Sequence, residues 1–156
     1  MSTPYSRKEG TLKFRGHDVW YKIFGDKEEP GKLPLLCLHG GPGVPHDYLE
    51  SLEAMSATGR RVIFYDQLGC GNSAHVDDPS LWTVELFVEE VDVVRKALGL
   101  ERLHILGQSW GGMLLMQYML TKPKGVASIT IASSPSSIKM WLAEANRLRT
   151  ELPADV

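Results

Sequence analysis

The stretch Leu103–Gly112, with the sequence LHILGQSWGG, decides the fold of this chain. It begins with a largely apolar run, and a second and longer apolar segment, Trp110–Leu120, follows directly after Ser109. Between them lies the pattern Gly-x-Ser-x-Gly, which is weak alone but informative when a strand precedes it and a helix follows. In that context a sharp turn lifts the serine hydroxyl above the edge of a sheet. We therefore interpret Ser109 as a nucleophile; the alternative is a glycine-rich turn that only connects a strand to a helix.

The segments around this stretch alternate between strand and helix patterns. Residues 11–24 alternate apolar and polar side chains around a turn at residues 15–18, which is typical of a hairpin. Nearly continuous apolar runs, as in parallel strands that are covered on both faces, follow at Leu33–Leu38, Arg61–Tyr65, Leu103–Leu106 and Val126–Ala132. This order predicts an α/β fold with a mostly parallel sheet and flanking helices.

Two helices are predicted between the later strands. Apolar residues recur at helical spacing from Val84 to Leu98, with Thr83 placed to cap the start and Gly99 to end the helix in a left-handed conformation. The second helix, Trp110–Leu120, is almost wholly apolar and is therefore expected to be buried.

The composition gives no indication of a nucleic-acid or membrane partner. The 156 residues are 43% hydrophobic and 23% charged, with a net charge of −2, so no basic surface is expected. No apolar run approaches the roughly 20 residues of a membrane helix, and the first ten residues lack the apolar core of a signal peptide. We therefore expect a cytoplasmic protein. The two cysteines, Cys37 and Cys70, are interpreted as a buried hydrophobe and a loop thiol rather than a redox pair.

A second motif, His39–Gly43 or HGGPG, follows the first run of the parallel sheet. Glycines let the backbone approach a ligand closely, so an N–H of this loop can point at a carbonyl oxygen. Together with the N–H of Trp110 at the start of a helix, it would form a two-donor oxyanion hole. A phosphate-binding glycine loop is the competing interpretation, but neither a dinucleotide-binding nor a P-loop pattern is present.

A third motif, Asp66–Ser73 or DQLGCGNS, follows the second run of the parallel sheet. The Asp66 carboxylate is interpreted as a group that caps or pins this glycine turn. A catalytic acid is the alternative role for the same carboxylate.

The order and spacing of the three motifs resemble those of the α/β-hydrolase superfamily and, within it, the prolyl iminopeptidase family of serine aminopeptidases. The resemblance implies that Ser109 is the nucleophile and that Gly41 and Trp110 supply the oxyanion-hole N–H groups. Gly40 and Gly43 are expected to let the backbone approach the substrate, and neither a metal nor an organic cofactor is implied. It also divides the chain into residues 1–135, the N-terminal part of the hydrolase core, and residues 136–156, the first helix of a cap domain.

The remainder of a catalytic triad is not found in the sequence. In this fold the acid and the histidine follow the serine along the chain, but all five histidines precede Ser109. They are assigned to a hairpin turn, a strand end, two loops and a strand interior, and are His17, His39, His46, His75 and His104. The acids that follow the serine lie in or beyond the predicted cap helix and are Glu144, Glu151 and Asp155. We therefore expect the triad Asp and His on a C-terminal remainder, present as a second chain, with a truncated chain or a gene fragment as the alternative.

These features together predict a serine hydrolase that releases N-terminal proline or another small apolar residue from short peptides through an acyl-enzyme. An esterase, amidase or lactonase with the same machinery is the first alternative. A non-catalytic binding module is the second, since the base and the acid are missing from these residues.

Overall fold

The computed structural model describes residues 6–153. The outer bounds of the two predicted units, at residues 1 and 156, and the candidate acid Asp155 lie outside the described residues. In chain order the elements are β1 (Arg7–Phe14), β2 (His17–Phe24), β3 (Leu35–Leu38), a 3₁₀ helix (His46–Thr58), β4 (Val62–Tyr65), a short 3₁₀ turn (Pro79–Leu81), α1 (Val84–Ala97), β5 (Leu103–Gln108), α2 (Trp110–Leu120), β6 (Val126–Ala132) and α3 (Ile138–Arg149).

The strands form one mixed sheet in the order β1-β2-β4-β3-β5-β6. The hairpin β1–β2 and the β2–β4 pair are antiparallel, whereas the pairs β3–β4, β3–β5 and β5–β6 are parallel. The predicted hairpin and the mostly parallel α/β sheet are therefore confirmed. Because the carboxyl ends of β3, β4 and β5 meet at one edge, the three motifs that follow these strands lie together.

The central strands are buried on both faces, which explains their nearly continuous apolar sequences. On one face, residues such as Leu36 and Ile105 pack against α1 and α2. On the other face, Cys37 and Phe64 pack against Leu49 of the 3₁₀ helix. The sheet is thus covered by helices on both sides, as parallel sheets require.

The predicted ends of α1 are confirmed by its cap geometry. The Thr83 hydroxyl oxygen accepts a hydrogen bond from the Leu86 N–H at 3.2 Å, and Gly99 after the helix has a φ of 65°. The expectation that α2 is buried holds for one face of the helix and not for its end. Leu114, Leu115 and Tyr118 face the core, whereas Leu120 at the end of the helix is 72% exposed.

The apolar side chains of β6 and α3 are exposed in the described part of the chain. Ile129 and Ile131 of β6 are 39% and 41% exposed, and Trp141 of α3 is 55% exposed. No side chain of α3 is buried against another described element. The division of the chain at residue 135 stays a prediction.

A buried carboxyl group, Glu90 of α1, interrupts the apolar core. Its Oε1 accepts a hydrogen bond from the Leu68 N–H at 2.8 Å, while Oε2 has no partner among the described residues. Burial raises the pKa of Glu90 to about 8. The folded protein therefore retains a proton on this side chain over a pH range in which the unfolded chain has lost it.

Glu90→Gln is expected to flatten the pH dependence of stability. From the ordinary pKa of 4.5 up to about 8, the folded state binds more protons than the unfolded state, so stability falls as pH rises through that window. The glutamine stays neutral and can still accept from the Leu68 N–H. Urea unfolding should show the wild type losing about 4 kcal/mol relative to the variant between about pH 5 and about pH 9.

The matched control for this prediction is Glu89→Gln, because Glu89 is the exposed neighbour that pairs with Arg15. This control should keep the wild-type slope of unfolding free energy against pH. An equal slope in Glu90→Gln and the wild type would contradict the assignment.

Candidate active site

The turn between β5 and α2 consists of a single residue, Ser109. Strand β5 ends at Gln108, α2 begins at Trp110, and Ser109 between them has φ 53° and ψ −120°. A non-glycine residue at such angles costs about 1–3 kcal/mol and persists only where its surroundings fix it. This is the strained strand-to-helix turn that a nucleophile elbow requires.

The glycines around Ser109 are required by close packing. A Cβ atom at Gly111 would overlap the carbonyl oxygen of Leu38 at the end of β3, and one at Gly107 would overlap the carbonyl oxygen of Gly111. Any larger residue would push α2 away from the sheet. The Gly-x-Ser-x-Gly pattern therefore reflects contact between the start of α2 and two strand ends.

The glycine loop after β3 lies directly against Ser109. A Cβ at Gly40 would be 3.1 Å from the Ser109 Cβ, and one at Gly41, whose φ is 112°, would be 2.5 Å from the Gly43 nitrogen. The loop and the elbow line an open cleft of about 340 Å³ with Val44, Tyr48 and Gln108 on its walls. The structure thus brings together the two motifs that the sequence predicted to form one site.

Two backbone N–H groups are candidate oxyanion donors: that of Gly41, which lines this cleft, and that of Trp110, which directly follows Ser109. Trp110 is the first residue of α2, where N–H groups have no acceptor within the helix and the helix dipole favours negative charge. No acceptor for the Gly41 N–H is found among the described residues. Both groups therefore have the chemistry of oxyanion donors, and their assignment to that role remains a prediction.

Gly40 and Gly43, which were predicted to let the backbone approach the substrate, lie in different surroundings. The Gly40 N–H already donates to the Tyr48 hydroxyl oxygen at 2.6 Å, so it is not free for a ligand. Gly43 borders a second, largely apolar cavity of about 310 Å³, whose wall includes Trp82 and Trp110. A role for either glycine in substrate binding stays a prediction.

Asp66 is fully buried and its contacts match the turn-pinning interpretation. One carboxylate oxygen accepts from the Asn72 N–H at 2.9 Å, and the other accepts from the His46 N–H at 3.0 Å and its ring at 2.8 Å. Burial raises the pKa of Asp66, but these hydrogen bonds outweigh it and hold the pKa below its usual value. The carboxylate is therefore charged and bonded to the turn and to His46.

His46 does not lie in a loop, as predicted, but begins the 3₁₀ helix and is buried. This helix shows no apolar periodicity in the sequence because few of its side chains are buried. Four of the histidine rings bond to groups other than Ser109: His39 to Gly40 and Gln67, His46 to Asp66, His75 to Gly71, and His104 to Ser128. Of these, His39 is fully buried, and burial lowers its pKa.

The described acids that follow Ser109 lie on α3 or just after its end, and both are in ion pairs. Glu144 and Glu151 both pair with Arg147, and all three side chains are more than half exposed. Neither carboxylate is at the sheet edge that carries Ser109. Both cysteines are buried and free, Cys37 in β3 and Cys70 in the loop after β4, as the sequence predicted.

The architecture of the chain matches that of a known protein family. Residues 34–155 match the family model described as the alpha/beta hydrolase fold. The chain belongs to this family. In the described part of the chain, no helix combines the length and apolar character needed to cross a membrane.

Several relatives within the α/β hydrolase fold are named proline iminopeptidases. The chain is 46% identical over 140 residues to a proline iminopeptidase of Clostridioides difficile, a match that covers 89% of this chain and 47% of that protein. It superposes on the crystal structure of a Mycobacterium smegmatis proline iminopeptidase with a TM-score of 0.88 at 46% identity, covering 94% of this chain and 50% of that chain. It superposes on the crystal structure of VinJ with a TM-score of 0.90 at 41% identity, covering 97% of this chain and 52% of that chain.

The chain thus spans about half the length of these relatives. The resemblance to the N-terminal portion of the prolyl iminopeptidase family, and the α/β-hydrolase fold that it implied, are confirmed.

The strain at Ser109 leads to a prediction about stability. Glycine adopts positive φ freely, so Ser109→Gly should be more stable than Ser109→Ala by about 1 kcal/mol, as thermal or urea unfolding would measure. Ser128 in β6 is the matched control, since it does not have a positive φ. There the order should reverse, with glycine less stable than alanine. If alanine were more stable than glycine at Ser109, as is expected at Ser128, then Ser109 would not be strained.

Proposed function

We propose that this chain carries the nucleophile of a serine hydrolase that releases N-terminal proline or another small apolar residue from short peptides. The observation that carries the proposal is Ser109 itself, held at a φ of 53° between β5 and α2, beside the glycine loop. A binding module has no need for a strained serine next to a glycine loop and the start of a helix.

The chemistry follows from this arrangement. The Ser109 oxygen attacks the scissile carbonyl carbon, its proton passes to a base, and the carbonyl oxygen becomes an oxyanion. The N–H groups of Gly41 and Trp110 would stabilise that charge, each by about 3 kcal/mol. The amine leaves with a proton from the same base, and water then hydrolyses the acyl-enzyme and regenerates the serine. This sequence of steps uses neither a metal nor an organic cofactor.

We infer that the base and the acid come from a C-terminal portion outside this chain, present as a second chain. Three observations support this. Four of the five histidine rings bond elsewhere, the relatives are about twice as long, and the apolar faces of β6 and α3 are uncovered. A serine without a base is a poor nucleophile near neutral pH, so this chain alone should be inactive.

The substrate class is supported by the relatives, which are named proline iminopeptidases. An esterase, amidase or lactonase would use the same nucleophile and oxyanion donors. A cytoplasmic location also stays a prediction from the sequence.

Replacement of the nucleophile tests the proposal. In the complete protein with its C-terminal portion, Ser109→Ala should lower the hydrolysis of a proline arylamide by about 1,000-fold or more. Ser128→Ala, on the exposed edge strand, should hydrolyse it at the wild-type rate. Full activity in Ser109→Ala would refute Ser109 as the nucleophile.

Two further measurements separate the alternatives. Faster cleavage of an acyl ester or a blocked N-terminus than of the free-amine arylamide would favour the esterase or amidase. A fluorophosphonate should label Ser109 only when the C-terminal portion is present. No labelling with or without that portion would favour a non-catalytic module.

A further inference from the structure

We propose that Tyr48 and Gln67 are positioning residues that hold the two oxyanion donors in register with Ser109. Each does so through its own side-chain bridge between the glycine loop and the elbow. The inference rests on the proposed function, because it needs an oxyanion for the donors to bind.

The first bridge runs through the hydroxyl of Tyr48. This oxygen accepts a hydrogen bond from the Gly40 N–H at 2.6 Å and donates one to Gln108 Oε1 at 2.6 Å. Gly40 precedes the donor Gly41, and Gln108 precedes the nucleophile Ser109. One hydroxyl therefore joins the backbone beside one donor to the residue beside the reacting oxygen.

Several features indicate that the Tyr48 hydroxyl itself, rather than the ring, makes this connection. The ring is 44% exposed, and it comes from the 3₁₀ helix rather than from either segment that it joins. Partial burial raises the pKa of Tyr48, so the hydroxyl keeps its proton and can donate near neutral pH. Removing the oxygen would thus break both bonds without emptying the core.

The second bridge runs through the side-chain amide of Gln67. Its Oε1 accepts from the indole N–H of Trp110 at 2.8 Å, and its Nε2 donates to the His39 carbonyl oxygen at 3.0 Å. The Gln67 backbone N–H also donates to His39 Nε2 at 2.9 Å. Gln67 is 1% exposed, so its amide orientation is fixed by partners of opposite type at its two ends.

The two bridges connect the same two segments, from backbone atoms of the glycine loop to side chains of the elbow. Gly41 is in the loop after β3, whereas Trp110 begins α2, so the alignment of their N–H groups depends on how these segments sit relative to each other. A catalytic constellation tolerates about 0.5 Å of misplacement. The glycine loop is flexible by itself. The hydrogen bonds from Tyr48 and Gln67 restrict its movement.

The principal test is Tyr48→Phe in the complete protein with its C-terminal portion. For both a proline arylamide and a p-nitrophenyl ester, kcat should fall about 10-fold while KM stays within about 2-fold, because only the oxyanion loses alignment. Gln67→Met, which keeps the length of the side chain but no polar group, should do the same. Tyr21→Phe, which removes the hydroxyl of a hairpin tyrosine, is the matched control and should leave both constants unchanged.

Amide hydrogen exchange gives a second readout that does not depend on turnover. The Gly40 N–H should exchange at least about 10-fold faster in Tyr48→Phe than in the wild type, because its acceptor is gone, and Tyr21→Phe should leave it protected. A general loss of stability would instead speed exchange across the whole sheet.

The outcomes separate this inference from the proposed function. If the wild type cleaves the ester but not the proline arylamide, the substrate assignment fails and the ester kinetics decide the role of Tyr48. An unchanged kcat in Tyr48→Phe, or unchanged exchange at Gly40, overturns the inference. Failure of the wild type to turn over either substrate overturns it as well, since no oxyanion would then form.

Discussion

The first turn of α2 lies so close to the end of β3 that no side chain fits between them. A single methyl group at Gly111 would overlap the Leu38 carbonyl oxygen, and one at Gly107 would overlap the Gly111 carbonyl oxygen. Because β3 leads directly into the glycine loop and β5 leads directly into Ser109, this contact fixes where both segments leave the sheet. The strained φ of Ser109, the cleft beside it and the bridges across it all follow from that approach.

Local patterns in the sequence were sufficient to predict the parts of the fold that depend on residues close together in the chain. Thr83 caps α1, Gly99 ends it, and the elbow is recognisable from the glycines around Ser109, because each feature has a backbone requirement that few residues meet. The strands were predicted because burial on both faces leaves a nearly continuous apolar run.

Contacts between residues distant in the chain could not be predicted in this way. Tyr48 bonds to Gln108 across 60 residues, and Trp110 bonds to Gln67 across 43. The 3₁₀ helix that carries Tyr48 has few buried side chains, so it shows no apolar periodicity. His46 was therefore assigned to a loop, although it is buried against Asp66. Each of these hydrogen bonds joins only two residues that are far apart in the chain. Such a pair produces no repeating pattern in the sequence from which the contact could be predicted.

The strain at Ser109 and the hydrogen bonds around it depend on each other. A backbone at unfavourable angles persists only where its surroundings leave no alternative. The surroundings of Ser109 include buried polar groups. Leaving such a group without its hydrogen-bond partner costs about 1–3 kcal/mol. Gln67 has both ends of its amide occupied and is nearly inaccessible to water. Movement of the elbow away from the glycine loop would therefore break these bonds, which keep the two segments together.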